Sequence, residues 1–390
     1  MTKQSLSRRQ LLAGTAGLAG LSTLPFCAAG KSERLKITKI EIFQVAIPIQ
    51  DDIINSPEFG PDGLTEFPKG PKVIIKLHTD SGIFGIGETG RTSPDGAADH
   101  KAAALENAAF LEGKNALDLN LPRLELPKGA TRDGFEIALY DVVGKAFGWP
   151  VYNLLGGLAQ DKVYVPYWCG RKNPVDAKRV AERTLKGGFT SLKMKGRHGD
   201  PIVEAVRAVN EIAPDVKITV DFNRHYETAE DFLPIGRALE EIGNMRTIED
   251  PVNEVSELAK IANQLETAIT LTPRNGKHIV EAALAGACDL INTGPRPSMM
   301  SFVINSGVAG AFGMPCWHGS GHELGIKDAA MMQSCAAAEN CTLPSDILSY
   351  QRVDDLIVEP INIKDSYVIV PDTPGLGVEL DEDALQKFSV

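Results

Sequence analysis

The stretch Ser191-Leu192-Lys193-Met194-Lys195 places two lysines two residues apart in an apolar run. Side chains alternate along a strand, so Lys193 and Lys195 share one face and Met194 takes the other. Two ammoniums that close repel each other, and burial desolvates them. Both effects lower a lysine pKa, and a lowered lysine can act as a base near neutral pH. The competing reading is a solvated edge strand with two surface lysines, and the stretch alone leaves both open. Three other apolar runs end in chemically useful residues: Val220-Asp221-Phe222-Asn223, Ile248-Glu249-Asp250-Pro251 and Pro315-Cys316-Trp317-His318. Carboxylates from adjacent strands, here Asp221 and Glu249, make a hard oxygen site suited to Mg²⁺. The alternative for that pair is a structural ion pairing with Lys193 and Lys195.

The elements that must hold these residues follow from the pattern after Gly156-Gly157. Short β-like runs recur at Tyr164–Cys169, Ser191–Lys195, Lys217–Asn223, Arg246–Glu249, Ala268–Thr272, Asp289–Thr293, Met314–His318 and Thr342–Ile347. Helix-like stretches lie between most of them, from Val175–Lys186 to Lys327–Ala338. Such alternation implies a parallel sheet, and eight strands with seven helices imply a closed α/β barrel of the TIM type. In such a barrel the chemistry sits at the C-terminal strand ends. Lys195 is one of those ends, so a surface edge no longer suits it. Before the barrel, residues 35–155 read as an α+β domain, with a hairpin first and helices from Ala97 to about Phe147. A polar loop, roughly Gln50 to Pro71, interrupts the hairpin. Residues 160–355 form the barrel, and 356–390 return to β-like, turn-rich sequence.

Taken together, the strand ends resemble the mandelate racemase / muconate-lactonising branch of the enolase superfamily. The linker supports the resemblance, with Ala138-Leu139-Tyr140-Asp141-Val142-Val143-Gly144-Lys145 followed by Gly148-Trp149-Pro150-Val151-Tyr152-Asn153-Leu154-Leu155-Gly156-Gly157. The tail run Pro371 to Leu380, PDTPGLGVEL, does the same. The resemblance implies a modified (β/α)₇β barrel with an α+β capping domain built from both termini. It implies abstraction of a proton α to a carboxylate. Lys195 matches the family's base, and Lys193 the lysine that tunes it and contacts the carboxylate. Asp221 and Glu249 match two ligands of a Mg²⁺ ion, which stabilises an enolate. His318 matches the acid or base used on the opposite face. The loop around Ile54–Thr65 matches the mobile loop that closes on substrate. Polar candidates for substrate binding are Arg274, Asn223, Arg171 and Tyr226.

The sequence departs from this pattern in two places. The third metal ligand should end the fifth strand, where Leu271 or Thr272 stands and Arg274 follows. The acid that orients the opposite-face histidine should end the sixth strand, where Gly294 falls at about the expected place. His318 is then either a catalytic group or a histidine that merely bonds backbone. His322 and Glu323 are extra polar candidates that could orient it. A zinc site from His318 and His322 fits by spacing, but the intervening Gly-Ser-Gly argues against a helix presenting both.

The chain has 390 residues, 43% hydrophobic and 23% charged, with a formal net charge of −11. That charge excludes nucleic acid and anionic membrane as expected partners. A small carboxylate, foremost a sugar acid, is the expected partner, and a homo-oligomer is the expected assembly. Residues 1–29 read as a twin-arginine export signal: Ser7-Arg8-Arg9-Gln10-Leu11-Leu12, then a mildly apolar run to Phe26. A periplasmic or extracellular destination is expected. Cys27 could be lipidated, although Pro25-Phe26 fits that signal poorly. The remaining cysteines are scattered without CxxC spacing and read as buried thiols. The function expected is an exported lyase or isomerase, with dehydration of a sugar acid leading, and racemisation, epimerisation or cycloisomerisation open. A non-catalytic relative that binds ligand without turnover is the rival class.

Overall fold

In the computed structural model, residues 34–51, 53–60, 71–293 and 298–390 are described. The export signal, Cys27, residues 61–65 of the capping loop and Gly294 lie outside them.

Three antiparallel strands open the fold in the order β1 (Ile37–Val45), β2 (Lys72–Thr79) and β3 (Phe84–Glu88). One face of this sheet carries the helices Ala97–Leu111 and Arg132–Phe147. The glycines of β3 let the second helix sit unusually close. A Cβ on Gly87 would lie 2.0 Å from the Gly134 carbonyl oxygen, and one on Gly85 would lie 2.1 Å from that of Ala138. The single helical stretch expected from Ala97 to Phe147 is in fact two helices joined by short 3₁₀ turns. Pro122, Pro127 and Gly129 lie in the break, where a continuous helix would lose amide donors and backbone order.

Two further strands precede the barrel helices, β4 (Lys162–Tyr164) and β5 (Tyr167–Arg171). Six others follow in alternation with helices: β6 (Ser191–Lys195), β7 (Lys217–Asp221), β8 (Met245–Glu249), β9 (Ile269–Leu271), β10 (Leu290–Asn292) and β11 (Cys316–Trp317). Strands β5 to β11 form one parallel seven-stranded sheet in sequence order. Its apolar interior, including Leu192, Ile218, Val220, Ile248 and Ile291, is fully buried. Sheet pairing and helix wrapping both follow the period seen in the sequence.

The expected eighth strand, Thr342–Ile347, is not a strand. Pro344 in its middle has no amide to donate to a ladder. Single hydrogen bonds close the ring there instead. Ser345 N donates to the Tyr164 carbonyl at 2.7 Å and Asp346 N to the His318 carbonyl at 2.8 Å. Pro166 likewise splits the expected first strand, and its outer half, β4, pairs antiparallel with β12 (Tyr367–Ile369).

The tail runs back over the cap. Leu376 N donates to Asp141 Oδ1 at 2.8 Å, and Val390 N to the Gln44 carbonyl at 3.0 Å. Cap and barrel also meet through a buried ion cluster. Glu88, at the end of β3, accepts from the amides of Leu324 (2.8 Å) and Lys327 (2.9 Å). Those amides open the helix Gly325–Ala336, whose first turn has no acceptors of its own. Lys72, at the start of β2, bridges Glu88 at 3.0 Å and Glu323. Among the described residues no helix is long and apolar enough to cross a membrane.

Candidate active site

A cavity of about 700 Å³ opens where the barrel strands end. Strand alternation delivers its floor. Lys193 and Lys195 leave β6 on one side while Met194 points to the other, into the apolar core between sheet and helices. Asp221 ends β7 and Glu249 ends β8, and parallel register puts Lys195 beside Asp221 and Asp221 beside Glu249. All four side chains are buried.

Their contacts are ionic. Lys195 Nζ donates to Asp221 Oδ2 and, at 2.9 Å, to Asn223 Oδ1. Lys193 Nζ lies 3.0 Å from Asp346 Oδ2, 2.9 Å from Glu249 Oε2 and 3.9 Å from Asp221 Oδ2. The contact to Glu249 Oε2 is charge against charge at an angle that makes no hydrogen bond. The ion pairing weighed as an alternative in the sequence is therefore present. It also overturns, for Lys193, the lowered pKa expected of two close, buried ammoniums. Burial pulls this ammonium toward neutrality, but Asp346, Glu249 and Asp221 outweigh it and hold its pKa above the ordinary value. Lys193 is a fixed cation, not a lysine lowered by its neighbour. Burial, with Asp221 next to it, pushes Glu249 up to about 7. Burial also lifts Asp250 to about 6 against the pull of Arg224, which lies 3.1 Å away.

His318 does not reach this cavity. Its ring turns behind the wall, stacks on Phe302 with centroids 4.5 Å apart, and places Nδ1 2.7 Å from the Gly319 carbonyl. It lines a separate small cavity with Glu136, Met299 and Ser334. Burial lowers its pKa to about 4. The backbone-bonding reading is the one found. His322 faces the cavity in its place. It stands on a left-handed backbone (φ 59°), packs edge-on against Trp168 at 4.1 Å, and leaves Nδ1 buried without a hydrogen-bond partner. Burial first, then Arg352, Arg91 and Lys195, keep its ring neutral. With the two rings in different cavities, a zinc site between them is ruled out by placement.

Two more candidates sit elsewhere. Arg171 forms an ion pair with Asp200, with Nε 2.8 Å from Oδ2, and its guanidinium covers the Phe59 ring at 4.6 Å. It fastens the first half of the capping loop to β5, where Ser56 N donates to the Arg171 carbonyl at 2.8 Å. Tyr226 is a core aromatic, edge-on to Phe222 and Phe232. Neither lines the cavity. Asn223 and Arg274 do. Residues that the sequence did not single out also line it. Asp346 balances Lys193, and Asn292 at the end of β10 donates Nδ2 to Glu249 Oε1 at 2.6 Å. Both end runs that the barrel pattern had marked as strands, so the strand-end rule pointed at them.

The donor set does not suit a Mg²⁺ ion held by three carboxylates. The fifth strand's end supplies Thr272, whose hydroxyl donates to Glu249 Oε1 at 3.3 Å. Among the described residues no three His, Cys, Asp or Glu side chains are grouped to hold a metal.

Comparison with known proteins agrees with this architecture. Residues 64–156 match the mandelate racemase / muconate lactonizing enzyme N-terminal domain, and residues 176–384 match the enolase C-terminal domain-like family. The chain belongs to the mandelate racemase / muconate lactonizing enzyme branch of the enolase superfamily. Its relatives include an N-succinyl-L-Arg/Lys racemase of Bacillus cereus, 24% identical, with 91% of this chain and 98% of the relative covered. A chloromuconate cycloisomerase of Cupriavidus pinatubonensis is 28% identical over 81% of this chain and 91% of its own. A probable glucarate dehydratase of Streptomyces coelicolor is 27% identical over 82% and 84%. The solved N-succinyl Arg/Lys racemase of B. cereus superposes with a TM-score of 0.79 at 23% identity, covering 91% of this chain and 98% of that one, a likeness of fold. The relatives are enzymes of enolate chemistry, some isomerases and one a dehydratase.

Proposed function

We propose that this chain is a lyase acting on a small hydroxy acid, foremost a sugar acid, and that it removes the proton α to the carboxylate and expels the β-hydroxyl. The observation that carries this reading is that Lys195 and His322 line one cavity from different walls. Lys195 Nζ takes the α-proton, and Asp221 and Asn223 stabilise the ammonium so formed. Lys193, fixed as a cation, faces the charge that develops on the carboxylate. His322, held neutral with a buried nitrogen free of partners, can hydrogen-bond the departing hydroxyl through a ring N–H, and the proton that Lys195 has taken leaves with that hydroxyl as water. Racemisation would use the same two groups without loss of water.

The experiment is incubation of the protein with a sugar-acid library in D₂O, read by mass. Loss of water with one deuteron gained supports dehydration. Deuteron gain without water loss favours the isomerase reading. Lys195→Ala is expected to lower either signal by about 10³-fold with the circular dichroism spectrum unchanged, in the range of a lost general base. No exchange across the library would support the non-catalytic binding relative. We also propose, from Arg8-Arg9 and the apolar run after them, that the chain is exported.

A further inference from the structure

A divalent magnesium ion takes oxygen ligands whose lone pairs are free, and it prefers carboxylates and water. Here the four oxygens of Asp221 and Glu249 already face donors. Asp221 Oδ1 accepts from Asn223 N at 2.9 Å, and Oδ2 accepts from Lys195 Nζ and, at 3.3 Å, from Asn223 Nδ2. Glu249 Oε1 accepts from Asn292 Nδ2 at 2.6 Å and from the Thr272 hydroxyl at 3.3 Å, while Oε2 lies against Lys193 Nζ. A metal would have to displace an ammonium and an amide to reach either carboxylate. Asp346 adds a third acid, but it is engaged by Lys193 as well. The cluster is thus built around its own two cations.

Positive charge is also placed next to the vacant ligand position in the sequence. Arg274 stands two residues past Thr272 and lines the same cavity. Its guanidinium makes no hydrogen bond or ion pair among the described residues, although its amide N–H donates to His278 Nδ1 at 3.1 Å. An unpaired arginine offers a planar fork that matches both oxygens of a carboxylate. Arg224 beside it is already engaged by Asp250 and by the Thr272 carbonyl, so Arg274 is the one left to meet a ligand.

We propose that this site binds a planar carboxylate anion without a divalent metal, with Lys193 and Arg274 supplying the cationic charge. The inference rests on the proposed α-proton chemistry only in taking that anion to be the substrate's carboxylate or its enolate. Oxalate, a planar dianion, is the probe. The full chain is dialysed against EDTA, its metal content is measured, and oxalate and Mg²⁺ are titrated separately by calorimetry. The expected result is no retained metal, no heat from Mg²⁺ alone, and oxalate binding in EDTA. Arg274→Ala is expected to weaken oxalate roughly tenfold, about one lost charge-assisted contact. Arg274 is exposed, so the variant keeps the fold, which circular dichroism checks. One Mg²⁺ per chain, lost in Asp221→Asn, overturns the proposal. So does oxalate binding that needs Mg²⁺, or binding that Arg274→Ala leaves unchanged. None of these readouts involves turnover. A chain that binds oxalate without metal and exchanges no α-proton would refute the catalytic reading and leave this one standing.

Discussion

His322 and His318 stand four positions apart and differ in everything their rings touch. His322 faces the main cavity with an unpartnered nitrogen, whereas His318 is sealed against Phe302 and the Gly319 carbonyl. His322→Ala is therefore expected to cost about 10²–10³-fold in the water-loss step, as for a lost hydrogen bond to developing charge. His318→Asn should leave that step within a few-fold and act on stability instead. Burial lowers His318 to about 4, below the ordinary value of 6.5. The unfolded chain then takes up a proton that the native ring refuses. Stability should fall as pH drops from about 6.5 toward 4, by at most about 1.4 kcal/mol per pH unit from this residue. Denaturant melts across that range should show the slope shrinking in His318→Asn, and an identical slope would contradict the assignment. The sequence could supply the lysine pair, Asp221 and Glu249 because each ends a strand, and strand ends are a matter of period. It could not supply the direction of His318, which depends on how Gly319 to His322 turn back. Nor could it tell that Arg171 is consumed by Asp200, since nothing in the spacing of the end of β5 and the loop after β6 fixes whether the two meet.

At the level of elements, alternation of apolar runs with amphipathic stretches was enough to read a parallel barrel under an α+β cap. It failed where proline overrode the pattern. Pro166 and Pro344 sit in apolar runs that look like strands, and each removes a ladder donor at the seam where the ring closes. The junction of cap and barrel was not legible at all, because it joins residues more than two hundred positions apart. There Glu88 caps the first turn of the helix Gly325–Ala336 and shares Lys72 with Glu323. Every member of this cluster is buried, so removing one acid leaves its partners uncompensated. Glu88→Ala is expected to destabilise the chain by about 3–5 kcal/mol. Because the helix follows directly on the His322 loop, it should also speed amide hydrogen exchange at 320–327. A loss below about 1 kcal/mol, or exchange confined to the cap strands, would show that the cluster does not tie the two parts together.

For the whole molecule, two features bear on where it works. The chain is acidic overall, yet seven cations (Arg91, Lys193, Lys195, Arg197, Arg224, Arg274 and Lys327) line its cavity against five acids (Asp221, Glu249, Asp250, Glu323 and Asp346), an excess that favours an anion there. The second feature is its sulfur. All five cysteines among the described residues are buried thiols; Cys335 and Cys341 meet Ser345 against the barrel seam, and Cys316, joined to Cys341 by a backbone β-bridge, donates to Ser306. A chain that crossed a membrane unfolded into an oxidising compartment would expose these thiols to mispairing before the core closed over them. Burial in a finished barrel protects them, which suits export after folding in a reducing compartment. The twin-arginine reading of Arg8-Arg9 makes the same demand from the other end of the chain. A reporter fused to residues 1–32 is expected to leave the cytoplasm, and replacing Arg8 and Arg9 together by lysine should hold it inside. The charge is unchanged by that pair of substitutions, so retention would trace to the guanidiniums themselves. A reporter that stays in the cytoplasm with both arginines intact would remove the export proposal, and the thiols would then need no protection beyond the reducing medium around them.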